Sequence, residues 1–274
     1  MNSMKYLGGK QRLGKYISFF LKEIMDKLTN EDILVNGYLE PFCGSLGVLK
    51  QMTDINMHVI GNDYHPDLIE MWKEVQQKTF IYPTHISNEE YNAAKQIPSP
   101  SALKSFIGFG LSFGGRYFGA FAHKYTNDKK EDFCKEMVNS LKRMEPLIQN
   151  VEFTNIDYKE LNPENMFIYC DPPYRSVTYP IKYRKGIKHY DVFDNDEFWE
   201  IMRKWSLDNI VIISEMSAPE DFIEIWTLDR YRSACQSTKT RFKATSSETY
   251  KKEKLFVYSK SKYINIIYQN VNNH

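Results

Sequence analysis

Residues 165–174, NMFIYCDPPY, constrain this chain more than any other stretch. Met166, Phe167, Ile168 and Tyr169 form an unbroken apolar run, the pattern of a strand buried on both faces of a parallel sheet. The run must end at Cys170. Pro172 and Pro173 have a fixed φ, lack a backbone NH, and push the residue before each of them into extended backbone. In open α/β sheets, a stiff corner at the carboxyl end of a buried strand lies where ligands bind. This corner presents the Asp171 carboxylate, proline carbonyls and the Tyr174 ring. Acceptors beside a stacking plate suit an amino group on a flat ring, while a structural turn with a capping Asp171 is the alternative under ordinary turn chemistry.

The exocyclic amine of adenine is such a group. Its lone pair is delocalised into the ring, which makes it a poor nucleophile. Hydrogen bonds from its NH groups to Asp171 and to the Pro172 carbonyl would localise that pair, and Tyr174 would hold the ring by stacking.

Two earlier stretches read as companions. Lys5-Tyr6-Leu7-Gly8-Gly9-Lys10 precedes Ile17, Phe20, Leu21, Ile24, Met25 and Leu28, which recur at helical spacing. The glycines allow close backbone approach to a ligand, and Lys10 could reach a carboxylate; a glycine turn with solvated lysines fits the same residues. Tyr38 to Gly47, YLEPFCGSLG, reads as a strand turning through small residues into a helix, a generic nucleotide-binding turn with Gly44 at its centre. The next strand, His58-Val59-Ile60-Gly61, ends at Asn62-Asp63-Tyr64. An acid about twenty residues beyond a glycine turn is the acceptor that a pair of ribose hydroxyls needs. Asp63 is therefore the expected ribose ligand, and a helix cap before Pro66 is its other reading.

Taken together, NMFIYCDPPY, KYLGGK, EPFCGSLG and NDYHPDLI resemble the motifs of the Dam-like DNA N6-adenine methyltransferases, over roughly residues 4–75 and 150–259. The resemblance implies an α/β, Rossmann-like methyltransferase fold with a mostly parallel sheet and a terminal antiparallel hairpin. It implies S-adenosyl-L-methionine as cofactor and no metal. It places Tyr6, Lys10, Phe42, Gly44, Ser45, Asp63, Asp157 and Asp171 around the cofactor, and Asp171, Pro172 and Tyr174 at the target amine. Double-stranded DNA is the implied partner, with restriction-modification as the setting and a cognate restriction endonuclease as a possible second partner. Two positions depart from the family pattern. Leu46 stands where a second glycine is usual, and His65 replaces the usual asparagine and is given no role.

Residues 81–150 differ from their flanks and read as an inserted helical subdomain between the two parts, 1–80 and 151–274, of a catalytic domain. Ser87 and Glu90 form a capping-box pattern, Pro98 and Pro100 break the helix they open, and Phe133, Met137, Val138, Leu141 and Met144 line one face of a later helix. Between them lies FIGFGLSFGGRYFGAF. Its glycines, aromatics and Arg116 suit a loop laid against a nucleic-acid backbone, or equally a packed glycine-rich helix end. By its order in the family, the insertion is expected to carry target recognition. Beyond the Pro-Pro corner, Arg175, Lys182, Arg184, Lys185 and Lys188 alternate with tyrosines and suit phosphate contact, as do Lys239 and Arg241 nearer the end; a solvated face is the plainer reading of such runs.

Composition excludes more than it selects. With 36 basic and 35 acidic residues in 274, the net charge of +1 leaves any DNA contact to local patches. Cys43, Cys134, Cys170 and Cys235 form no C-x-x-C pair and no disulfide framework, which fits a reduced, intracellular chain. No apolar run approaches the length of a membrane span. An RNA or N4-cytosine methyltransferase, and a silent nucleic-acid-binding module with a relic cofactor site, remain alternatives; a dinucleotide oxidoreductase would have no use for the Asp-Pro-Pro-Tyr corner.

Overall fold

The computed structural model describes residues 4–122, 125–126, 129–130, 132–173, 193–231 and 250–271. The chain divides into two compact units, Met1–Asn162 and Pro163–His274.

The first unit opens with α1 (Gly14–Asn30), whose Ile17, Phe20, Leu21, Ile24, Met25 and Leu28 are buried, the face expected from their spacing. Strands β1 (Gly37–Glu40) and β2 (His58–Asn62) pair in parallel, Glu40 opposite Gly61. The connection between them holds no long helix. Instead of the helix expected after the glycine turn, a single 3-10 turn spans Leu49–Gln51. The chain cannot wind into a helix through Gly44 and Leu46, which both take positive φ, +47° and +58°. Pro66 then starts α2 (Pro66–Gln76) at the one helical position that suits it.

Residues 81–150 lie wholly within this unit. Helix α3 (Asn88–Ala94) has the reciprocal Ser87–Glu90 capping box. Helix α4 (Ala102–Ser105) runs into a π-helical turn, Phe106–Gly110. Two short strands, β3 (Tyr125–Thr126) and β4 (Lys129–Lys130), form a small antiparallel pair, and α5 (Phe133–Met144) follows. Phe133, Met137, Leu141 and Met144 of α5 are buried, as plain core packing requires. Strand β5 (Val151–Thr154) returns beside β2 in parallel, giving the order β5-β2-β1.

In the second unit, β6 (Phe167–Cys170) is buried throughout, as its apolar run demands. Asp194 caps α6 (Asn195–Trp205) by accepting from the NH groups of Asp196 and Glu197. The chain then enters β7 (Ile210–Glu215), parallel to β6 with Cys170 opposite Ile213. Strands β8 (Phe222–Tyr231) and β9 (Tyr250–Tyr258) make the terminal antiparallel hairpin, bulged at Ile225, and the order is β6-β7-β9-β8. Helix α7 (Ile264–Val271) follows. Parallel strands with an antiparallel hairpin at the end are the α/β, Rossmann-like class that the motifs imply. No helix among the described residues is long and apolar enough to cross a membrane.

Candidate active site

In the first unit the carboxyl ends of β1, β2 and β5 are tied together by one buried amide. Asn62 Nδ2 donates to the Pro41 carbonyl (3.0 Å) and the Ile156 carbonyl (2.9 Å), while its Oδ1 accepts from Thr154 Oγ1 (2.8 Å) and the Ile156 NH (3.0 Å). Two donors and two acceptors are the full capacity of an asparagine side chain. The next residue is Asp63. Its Oδ2 accepts from the Gly44 NH and its Oδ1 from the His65 NH, both at 2.9 Å. The Asp63 side chain thus closes a turn onto His65 rather than capping the first turn of α2, where His65 holds the N-cap position. Burial raises the Asp63 carboxyl above its ordinary pKa, and the two backbone NH groups pull it back toward the charged form. Each oxygen still has lone-pair capacity for a hydroxyl donor.

Gly44 is held from both sides. Trp72 Nε1 donates to its carbonyl at 2.9 Å, and a Cβ built on it would meet the Tyr6 ring at 3.1 Å. With φ at +47° as well, the position leaves a cradle that only glycine forms without strain. Gly47 fixes the partner segment, since a side chain there would strike the Lys10 backbone at 2.8 Å. Lys10 itself is 4% exposed and precedes α1. Gln11 Nε2 donates to the Ser45 carbonyl (2.6 Å) and to Ser45 Oγ (3.2 Å), and Lys50 Nζ donates to Gln11 Oε1. Phe42 packs on Tyr158, ring centroids 5.0 Å apart. Asp157 accepts from the Lys159 NH at 3.1 Å as the cap of a 3-10 turn, Tyr158–Glu160. Tyr6, Lys10, Phe42, Gly44, Ser45, Asp63 and Asp157 therefore all lie in the first unit, most of them on the two glycine turns and the strand ends.

The second unit supplies the Pro-Pro corner. Asp171 follows the last residue of β6 and is half-buried, Pro172 is buried, and Pro173 is exposed. Continuing the register by one residue brings Asp171 level with Ser214 of β7, whose Oγ donates to Glu253 Oε1 of β9 at 2.6 Å. Among the described residues no cluster of His, Cys, Asp and Glu could hold a metal ion.

Residues 6–99, about a third of the chain, match the family model of the D12 class N6 adenine-specific DNA methyltransferases. This chain is an adenine-specific DNA methyltransferase. The matched stretch holds both glycine turns and Asp63, so it bears out the Dam-like resemblance of KYLGGK, EPFCGSLG and NDYHPDLI; the Asp-Pro-Pro-Tyr corner lies beyond it. No curated protein matches the chain.

For a DNA methyltransferase, Asp67 and its partners among residues 99–117, all in the first unit, carry most of what sequence reasoning missed. Asp67 is buried on α2 and accepts from Ser99 Oγ (2.9 Å), the Ser101 NH (2.8 Å) and the Tyr117 hydroxyl (2.6 Å), with Lys104 Nζ at 4.0 Å. It pins Ser99, Ser101 and Tyr117 to the helix that begins after the Asp63 turn. Its only local signal is a lone aspartate in the first turn of a helix, which reads as a dipole effect. Beyond Tyr117's anchor, Phe113 and Arg116 are exposed on a loop closed by the Ser112–Phe121 bridge and by the Phe113 NH donating to the Ala120 carbonyl at 2.8 Å. Gly115 in that loop packs on the chain at Lys5 and Tyr6, where a Cβ would come within 2.5 Å of backbone. Tyr174, Arg175, Lys182, Arg184, Lys185, Lys188, Lys239 and Arg241 lie outside the described residues.

Proposed function

We propose that this methyltransferase modifies N6 of adenine at a specific DNA sequence, using S-adenosyl-L-methionine. The observation that carries the reading is the Asp63 turn: a carboxylate fixed by two backbone NH groups, with spare lone pairs, beside a glycine cradle walled by Tyr6. That donor set fits the cofactor's ribose. Asp63 would accept from the ribose hydroxyls, Tyr6, Phe42, Gly44 and Ser45 would line the cofactor, Lys10 would take the methionine carboxylate, and Asp157 and Asp171 would complete the site. Bound there, the cofactor supplies an electrophilic sulfonium methyl group.

The chain's own contribution is to make a weak amine attack. The Asp171 carboxylate and the Pro172 carbonyl accept the two NH groups of the target amine, which localises its lone pair and stabilises the positive charge that grows on nitrogen. Asp171 is then the nearest base for the proton that the nitrogen loses. Inside a duplex that amine is out of reach, so the base turns out of the stack and Tyr174 holds its face. Arg116, Arg175, Lys182, Arg184, Lys185, Lys188, Lys239 and Arg241 are proposed as phosphate contacts, and residues 81–150 as the target-recognition insertion into the 1–80 and 151–274 catalytic domain. DNA as substrate makes the enzyme intracellular. A cognate restriction endonuclease is proposed as a further partner.

Plasmid DNA treated with purified protein and cofactor, then sequenced for modified bases, tests the reading. N6-methyladenine at one recurring sequence is the expected result. Methylcytosine, modification of RNA alone, or no modification with cofactor bound would sink it.

A further inference from the structure

His65 stands two residues beyond Asp63, at the start of α2. Both of its ring nitrogens, Nδ1 and Nε2, are buried without a hydrogen-bond partner among the described residues. Enclosing an unmet donor or acceptor costs stability, a cost that a phenylalanine of similar size would avoid. The ring is not loose. It meets Phe109 at 5.0 Å and Tyr117 at 4.5 Å between centroids, both edge-on. Burial, helped by Lys104 and opposed by Asp67, lowers the His65 pKa to about 4. At neutral pH it is therefore uncharged and offers one NH donor and one lone pair.

The neighbours of this imidazole form a closed circuit. Asp63 accepts from the NH groups of Gly44 and His65. Gly44 lies under Tyr6, the Tyr6 ring is 5.0 Å from Phe109, and Phe109 is 5.0 Å from His65. Three members of that circuit, Asp63, Gly44 and Tyr6, are assigned above to the cofactor. An imidazole with two orphaned polar edges on the same circuit is explained by a polar ligand that arrives with the cofactor.

We propose that His65 is a further cofactor ligand, its imidazole hydrogen-bonding a ribose hydroxyl of S-adenosylmethionine beside the Asp63 carboxylate. The proposal rests on the assignment of the cofactor to this turn. Calorimetry of the full-length protein with S-adenosylhomocysteine and its 2′-deoxy and 3′-deoxy forms tests it. His65→Phe keeps the ring packing and loses both polar edges, so it should bind S-adenosylhomocysteine about tenfold more weakly, the equivalent of one hydrogen bond. It should also lose the preference of the wild type for the full ribose over one deoxy form, by a similar factor. His65→Asn should bind within about threefold of wild type. Nitrogen NMR of the wild-type imidazole needs no variant to fold: the His65 resonances should move with S-adenosylhomocysteine and far less with the discriminated deoxy form. Wild-type affinity in His65→Phe, equal rejection of both deoxy forms, or unmoved resonances would overturn the proposal alone. A wild type that binds no S-adenosylhomocysteine would overturn the cofactor assignment and this proposal together.

Discussion

The carboxyl ends of the parallel strands are built by opposite means in the two units. In the first, a neutral amide, Asn62, ties the ends of β1, β2 and β5 through four hydrogen bonds. In the second, the buried amide sits at the other end of the strands: Asn209 Oδ1 accepts from the Met166 NH (2.9 Å), and its Nδ2 donates to the carbonyls of Pro163 and Trp205 (both 2.9 Å). There the carboxyl end carries acids instead, with Glu253 taking the Ser214 hydroxyl and Glu215 taking the Met216 NH at 2.7 Å. A neutral amide can be buried and fully paired without the cost of burying a charge. The first corner can therefore be rigid without drawing on the Asp63 carboxylate beside it, the group proposed as the ribose ligand. The second corner takes its stiffness from two prolines, which spend no side-chain donor or acceptor of their own; the role proposed for Asp171 and the Pro172 carbonyl there is to act on the target amine.

On the proposed reading the second corner performs the chemistry and the first the binding, and the largest effect should come from breaking the chemistry. Asp171→Ala should slow methyl transfer about a thousandfold or more, while cofactor affinity stays within about tenfold. Single-turnover rates beside calorimetry separate the two; near-normal turnover would remove Asp171 from the mechanism.

Next in size are the amides. Asn62→Ala and Asn209→Ala each orphan several buried groups and should each cost about 3 kcal/mol in urea unfolding. They should part company in the folded protein, where Asn62→Ala loses cofactor affinity as Asp63 drifts and Asn209→Ala keeps it. Equal affinities in the two variants would erase the contrast drawn between the corners.

A smaller effect on binding is expected from Asp63→Ala, which should weaken cofactor affinity by about 1–3 kcal/mol. Unchanged affinity would return Asp63 to a purely structural turn.

The smallest concerns Leu46, fully buried and yet in the left-handed region at φ +58°, where the family motif usually carries glycine. Left-handed backbone costs a residue with a Cβ about 1–2 kcal/mol. Against the usual order, Leu46→Gly should therefore be more stable than Leu46→Ala by about 1 kcal/mol. Both should be less stable than wild type, because the cavity outweighs the strain. Thermal unfolding of the three proteins decides it.

Much of this was legible beforehand, and the reason is locality. The apolar run of β6, the proline stop, the Ser87–Glu90 box and the Asp194 cap are all written within a few residues of where they act. Asp63 stood out as a candidate because its distance from the glycine turn is itself a signal. Asn62, Asn209 and Asp67 were not, because their partners lie 21 to 94, 46 to 4 and 32 to 50 residues away along the chain, and an asparagine at a strand end reads as an ordinary turn residue. His65 was passed over for a similar reason: the reaction needs no imidazole, and only its enclosed and unmet nitrogens mark it out. The expected helix after Gly44 failed on backbone geometry, since nothing in a leucine announces a positive φ.

For the target-recognition role proposed for residues 81–150, the contact of Gly115 with the backbone at Lys5 and Tyr6 bears on how sequence preference would change. The Leu7 NH also donates to the Gly115 carbonyl at 3.3 Å, so the loop is anchored at its middle rather than only at its ends. Drift is then confined to the exposed positions on either side, Phe113 and Gly114 before the anchor and Arg116, Gly119 and Ala120 after it. New specificities would be explored by substitution at those few places, and lengthening the loop across the anchor would disturb Tyr6 and lower fitness before any new preference could be selected.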